Sequence, residues 1–154
     1  MLPGDFLSEE LVIPELKASD RWEAIDELLD LLVAQGRIDE ENRAEIEAVV
    51  KKREKSMSTG IGFGIGIPHA STALIENATG AFGRSTAGVN FDALDNQPVK
   101  MVMLFLVPQG QFQKHLHTLA DIATLFRDKD FRAKIEAAEN AGQIYDAIRG
   151  QGDD

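Results

Sequence analysis

The sequence predicts an α/β layered domain, with strands and helices interleaved along the chain. Three observations carry this. Trp22, Ile25, Leu28, Leu29 and Leu32 recur at the spacing of one helical face. Val99 to Val107 is almost wholly apolar, as expected of a central strand buried on both faces. Helical segments precede and follow strand-like ones, and such an order closes around one core shared between layers. At 154 residues the chain is read as a single domain, long enough for a sizeable core.

In order along the chain, Leu11-Val12-Ile13 before Pro14 reads as a short strand. Ser19 or Asp20 caps a helix running to about Gln35, and Gly36 is its natural stop. Asp39 caps a second helix, with Glu40 and Glu41 at its positive end. Helical spacing puts Ile46, Val49, Val50 and Arg53 on one face of it. An arginine on that face either meets a partner or an anion, or lies at the fraying end among Lys51, Lys52 and Lys55.

Next comes Ser58-Thr59-Gly60-Ile61-Gly62-Phe63-Gly64-Ile65-Gly66-Ile67-Pro68-His69. Read as one extended segment, it places Gly60, Gly62, Gly64 and Gly66 on one face. Ile61, Phe63, Ile65 and Ile67 then share the other, which can be buried. The bare glycine face allows a backbone, a phosphate or a partner protein to approach the main-chain N–H groups. Pro68 sets its own φ and biases Ile67 toward an extended conformation, so His69 leaves the segment in a fixed direction.

Beyond it, Ala78 to Ser85 and Val89 to Phe91 read as two strands joined near Thr86-Ala87-Gly88. Asp95-Asn96 is a turn signal, and Pro108-Gln109-Gly110 ends the apolar strand. A helix is expected from about Gln113 to Arg127, with shorter ones near Asp130 to Ala138 and Ala141 to Arg149. A flexible tail is expected over about 150–154.

Composition narrows the function. No apolar run approaches eighteen residues, so no membrane span is expected, and the N-terminus lacks signal-peptide regions. Cysteine is absent, which excludes disulfides and cysteine-ligated zinc and is consistent with a cytoplasmic location. A net charge of -10 argues against nucleic acid as a partner.

The chain has three histidines. On the helix after Gln113, His117 falls on the polar face with Asp121, Thr124 and Asp128. His115 falls with Leu119, Ile122 and Phe126, pointing toward the interior or a cleft rim. An inward histidine serves either as a satisfied core residue or as part of a site. No His-Glu-x-x-His pattern supports a metal site, and the strictly alternating glycines match neither nucleotide-binding fingerprint. No cofactor or metal is expected, and the Gly-x-Ser-x-Gly elbow of serine hydrolases is missing. What remains is histidine as nucleophile: one ring nitrogen attacks phosphorus while the other is held by a hydrogen bond. Arg53, the Thr59 hydroxyl, glycine-face N–H groups and a second histidine would then surround the phosphoryl oxygens.

Arg53-Glu54-Lys55, Ser58-Thr59-Gly60-Ile61-Gly62 and Gly66-Ile67-Pro68-His69 resemble the signature of the mannitol/fructose-type enzyme IIA of the phosphoenolpyruvate-dependent phosphotransferase system. Phe91 to Val99, Leu106-Val107-Pro108 and His115-Leu116-His117-Thr118-Leu119 resemble its later part. The similarity runs from about Leu11 to Ile148, and the nitrogen-regulatory branch is especially similar. The resemblance implies a mixed sheet with helices on both faces, and a phosphoryl carrier. It implies His69 as the acceptor, through Nε2, from HPr or its nitrogen-branch counterpart. Arg53 and His115 would steady the phosphoryl oxygens, and Thr59 would orient or bond them.

An EIIB, or a regulatory protein, would be the downstream partner, and a free-standing domain points toward the regulatory branch. A binding module that has abandoned the chemistry would not need His69, Arg53 and His115 together. A metal-dependent hydrolase is the third reading. The sequence departs from the family in having Ala70-Ser71 where a glycine and a basic residue are common, which bears on docking. It also departs at the large Phe63, a partner contact or a core residue.

Overall fold

Helix formation starts where the capping chemistry places it. In the computed structural model, which describes residues 3–150, Asp20 accepts the Glu23 N–H at 2.8 Å and opens a helix over Arg21–Ala34. Gly36, at φ 72°, ends it, and the Gly36 and Arg37 N–H groups close back on Val33 and Leu32. Numbered in chain order, the helices are α1 (Pro3–Phe6), α2 (Arg21–Ala34), α3 (Arg43–Ser56), α4 (Leu116–Arg127), α5 (Lys129–Ala137) and α6 (Ala141–Gly150). The strands are β1 (Val12–Ile13), β2 (Gly60–Gly62), β3 (Ile65–Gly66), β4 (His69–Thr72), β5 (Thr79–Val89) and β6 (Val99–Pro108). Short 3-10 turns precede β1, α3 and α4.

The sheet is mixed, in the order β1-β5-β6-β3-β2, with β4 also paired to β6. β6 is antiparallel to β5 and parallel to β3 and β4. Every β6 residue except Lys100 is buried, so both of its faces are covered, as its unbroken apolar run requires. On one face Phe6 of α1 packs on Phe105, and Phe126 of α4 meets Phe82 edge-on. α2 and α3 pack on β5 and β4 and cover the other. The layered α/β fold predicted from the sequence is thus the one observed.

Four local expectations are revised. The glycine run is not one extended strand but a tight β2–β3 hairpin. Gly62 (φ 98°), Phe63 (φ 59°) and Gly64 (φ 75°) turn it, a left-handed path that glycine holds without strain and that a phenylalanine rarely adopts. Phe63 therefore stands at the tip, 59% exposed, with the Arg132 guanidinium 5.1 Å from its ring centre. Ile65 and Ile67 are buried and Ile61 half-buried.

The bare faces of Gly60 and Gly66 are filled from within. A methyl on Gly60 would lie 2.7 Å from Ala93 Cβ, and one on Gly66 2.8 Å from the Phe91 ring. Second, the inward face of α3 is Ile46, Val50 and Glu54, while Val49 is 37% exposed and Arg53 half-buried. Third, Thr79–Val89 is one strand with a register shift between Arg84 and Val89, not two strands. Fourth, Asp39 opens a 3-10 turn over Glu40–Asn42 through its backbone carbonyl, and α3 begins only at Arg43. The expected tail at 151–154 lies outside the described residues.

Candidate functional site

β3 and β4 lie end to end along the same edge of β6, interrupted at Ile67-Pro68. Proline has no N–H for a ladder, so the break falls where the sequence forces it. His69 is the first residue after it, in register with Phe105 of β6, and so shares the face on which Phe105 meets His115.

The interruption also fixes the ring. His69 Nδ1 lies 2.8 Å from the Ile67 carbonyl oxygen. A carbonyl only accepts, so the neutral ring carries its proton on Nδ1, and Nε2 keeps the lone pair. Phe112 stacks against the imidazole, with ring centres 6.1 Å apart and planes inclined by 22°. Burial holds the His69 pKa below its ordinary value. The Ile67 carbonyl opposes that shift, Arg53 adds to it, and Glu54 opposes it. At neutral pH the ring is therefore uncharged.

Arg53 sits half-buried in the last turn of α3, with its charge felt at His69. Among the described residues its guanidinium has no hydrogen bond or ion pair, unlike Arg21, Arg43 and Arg84. His115 is 5% exposed and meets Phe105 edge-on, with ring centres 5.9 Å apart. Its Nδ1 is buried without a hydrogen-bond partner, and burial together with the Lys114 charge lowers its pKa. His117 is exposed, on the outer side of α4.

Thr59 is buried, and it faces inward to a carboxylate: its hydroxyl donates to Glu54 Oε1 at 2.6 Å and its N–H to Oε2 at 2.9 Å. Arg21 of α2 completes the cluster, donating to the same Oε2 at 3.3 Å.

His69 and His115, singled out from the sequence, share the face of Phe105, and Arg53 acts on His69 through its charge from the last turn of α3. Thr59 joins them from behind, through Glu54. Glu54, Arg21 and Phe112 were missed. The 4-residue spacing Ile46, Val50, Glu54 carries the signal for a buried carboxylate, and the aromatic two residues past Gly110 carries a weaker one for Phe112. Among the described residues no group of three or more His, Asp or Glu side chains is arranged to hold a metal ion.

Residues 5–150 match the family model described as phosphoenolpyruvate-dependent sugar phosphotransferase system, EIIA 2. A fructose-specific EIIA component from Haloferax volcanii is 38% identical over 139 residues, covering 90% of this chain and 89% of that protein. The crystal structure of nitrogen regulatory protein IIA-Ntr from Neisseria meningitidis superposes with a TM-score of 0.85. It is 29% identical and covers 94% of this chain and 97% of that one. A complex of enzyme IIAMTL with phosphorylated enzyme IIBMTL from Escherichia coli contains the same fold, at TM-score 0.76, 18% identity and coverage of 94% and 97%.

Proposed function

The chain belongs to the EIIA 2 family of the phosphoenolpyruvate-dependent sugar phosphotransferase system, and from that premise we propose that it carries a phosphoryl group on Nε2 of His69. The observation that carries this reading is the Nδ1–H bond to the Ile67 carbonyl, which leaves Nε2 with its lone pair on a ring kept neutral by burial. That lone pair attacks the phosphorus of a donor phosphohistidine. The Nε2–P bond forms as the donor's N–P bond breaks, and the donor nitrogen departs with the bonding pair. Arg53, whose guanidinium has no ion pair among the described residues, meets the phosphoryl oxygens, and His115, on the face of Phe105 shared with His69, joins it in steadying them. Thr59 contributes orientation, since its hydroxyl proton is committed to Glu54.

The donor is HPr or a nitrogen-branch counterpart. The acceptor is an EIIB, as in the mannitol complex, or a regulatory protein whose binding changes with phosphorylation. Among the described residues no helix is long and apolar enough to cross a membrane, which suits a carrier working in the cytoplasm as one domain.

The test is intact mass after incubation with phosphoenolpyruvate, enzyme I and HPr. The parent gains one acid-labile phosphoryl group and His69→Gln gains none. A folded parent that gains nothing from several HPr-type donors, beside a working control, favours a binding-only module.

A further inference from the structure

One buried carboxylate lies at the root of the site without touching the reacting face. Glu54 is 0% exposed and sits between α2, α3 and the loop that enters the hairpin. Its two oxygens accept both protons that Thr59 offers, from the backbone N–H and from the hydroxyl. The Thr59 carbonyl in turn accepts the Ile67 N–H at 3.2 Å, and the Ile67 carbonyl accepts His69 Nδ1–H at 2.8 Å. Each link holds the next in place: Glu54 fixes Thr59, Thr59 fixes the Ile67 main chain, and the Ile67 carbonyl fixes the imidazole.

We propose that Glu54 is a positioning residue for the reaction of His69. It fixes the imidazole's tautomer and direction through the run Glu54–Thr59–Ile67–His69 and supplies the negative charge on which that run ends. The inference rests on the phosphoryl-carrier reading for its rate consequence, but not for its effect on the ring.

The chemistry calls for such a group. As Nε2 attacks, the imidazole takes on positive charge; the Nδ1–H bond to the Ile67 carbonyl and the negative charge of Glu54, felt directly at His69, both stabilise that change. Arg21 partners the buried Glu54 carboxylate at 3.3 Å, which offsets the cost of its burial. The charged groups bearing on this pair can be named element by element. α3 contributes Arg53 and Glu54, and α2 contributes Arg21, which Asp92 after β5 also approaches at 3.7 Å. β6 presents the apolar Phe105 opposite His69, and the turn before α4 presents Phe112, Lys114 and His115.

The test uses Glu54→Gln in the full chain. The carboxamide keeps the volume but has one accepting oxygen for the Thr59 N–H, the Thr59 hydroxyl and Arg21 together. Nitrogen-15 NMR of the His69 ring is expected to show a lower titration midpoint than in the parent, and a smaller share of the Nδ1–H tautomer. The rate of phosphoryl acceptance should fall on the order of tenfold, the lower end of what outer partners of working histidines contribute.

A folded Glu54→Gln protein with the parent's midpoint, tautomer and rate overturns the proposal. So does a rate loss with the ring signals unmoved, which marks a merely structural ion pair. Should Glu54→Gln fail to fold, Glu54→Asp carries the same readout. It keeps the charge but is too short to hold both Thr59 donors, so the tautomer preference weakens while the midpoint moves less, and an unchanged preference overturns the proposal. If the parent accepts no phosphoryl group, the carrier reading fails, while the ring signals still decide the role of Glu54.

Discussion

Replacing Gly60 with alanine tests whether the hairpin is held by close packing against the 91–95 segment. The new methyl would lie 2.7 Å from Ala93 Cβ, 2.9 Å from Ala93 Cα and 3.2 Å from Phe91 Cβ. Those atoms belong to a stiff stretch of backbone, not to the far end of a mobile side chain. Carbon atoms pack at about 3.5–4.0 Å, so the segment must retreat by roughly 0.8 Å. That retreat strains the Leu94 N–H bond to the Gly60 carbonyl, 3.0 Å, and the Ser58 hydroxyl bond to the Phe91 carbonyl, 2.7 Å.

Overpacking costs about 1–3 kcal/mol and one weakened hydrogen bond about 1 kcal/mol, giving a loss of about 2–4 kcal/mol. For a domain of this size that lowers Tm by roughly 4–16 °C, measurable by circular dichroism. Ala93→Gly removes the nearest obstruction, the Ala93 methyl, but leaves Cα at 2.9 Å, so in the Gly60→Ala background it should recover part of the loss. A Gly60→Ala protein melting within about 1 °C of the parent refutes the packing argument. So does a double variant in which the two losses simply add.

Further outcomes follow from the same geometry. Arg53→Gln should slow phosphoryl acceptance about 10²-fold with little change in Tm, because one preorganised cation is lost from a half-buried position; equal rates in a stopped-flow assay would remove Arg53 from the site. His69 and His115 both have folded pKa values below the ordinary value near 6.5, so the unfolded chain binds more protons in the window beneath it. Their contribution to stability is full above about pH 6.5 and lost as pH falls toward the folded values, and His69→Gln should shrink the fall in denaturant midpoint between about pH 7 and pH 5.5. Phe63→Asn, at an exposed position with φ 59°, should change stability by no more than about 0.5 kcal/mol, since asparagine accepts that backbone; a large loss by urea titration would mean that the ring is a core residue.

The elements that could be read from the sequence are those whose signals are local. Asp20 and Gly36 bracket α2 through a cap and a left-handed stop, each a property of two or three neighbouring residues. β6 announced itself because a strand covered on both faces has no reason to alternate. The glycine run misled because alternation is a valid strand signal only if the backbone stays extended. With glycines on either side of Phe63 the chain is free to reverse, and pairing of Gly60 with Gly66 decides that it does. Glu54 was hidden for a different reason. A charged residue at a helical core position reads as an error in the pattern until its partners are known, and those partners, Arg21 and Thr59, come from separate elements.

The charge around His69 has a bearing on why this site would carry a phosphoryl group and not keep it. Phosphorylation adds roughly −1.5 to −2 charges to a chain whose formal charge is already -10. α3 ends beside the site, and its last carbonyls are unfavourable to that charge, offset by Arg53 and Lys55 in the same turn. From the other side Phe112, at the entry to the 3-10 turn and α4, stacks on the ring and brings the positive end of that helix toward it. Glu54 adds no repulsion of full strength, because Arg21 faces it. The result is Arg53, without an ion pair among the described residues, Lys55 in the same turn, one helix start and one neutral histidine against a dianion. A cluster of several cations would hold the group too well to release it. On the proposed carrier reading this balance would let a second protein that offers its own donors take the group away, so an added lysine at Ser71, two residues after His69, should slow transfer onward from phospho-His69 more than transfer to it. Equal effects on the two half-reactions, measured separately with purified donor and acceptor, would show that retention is not governed by local charge.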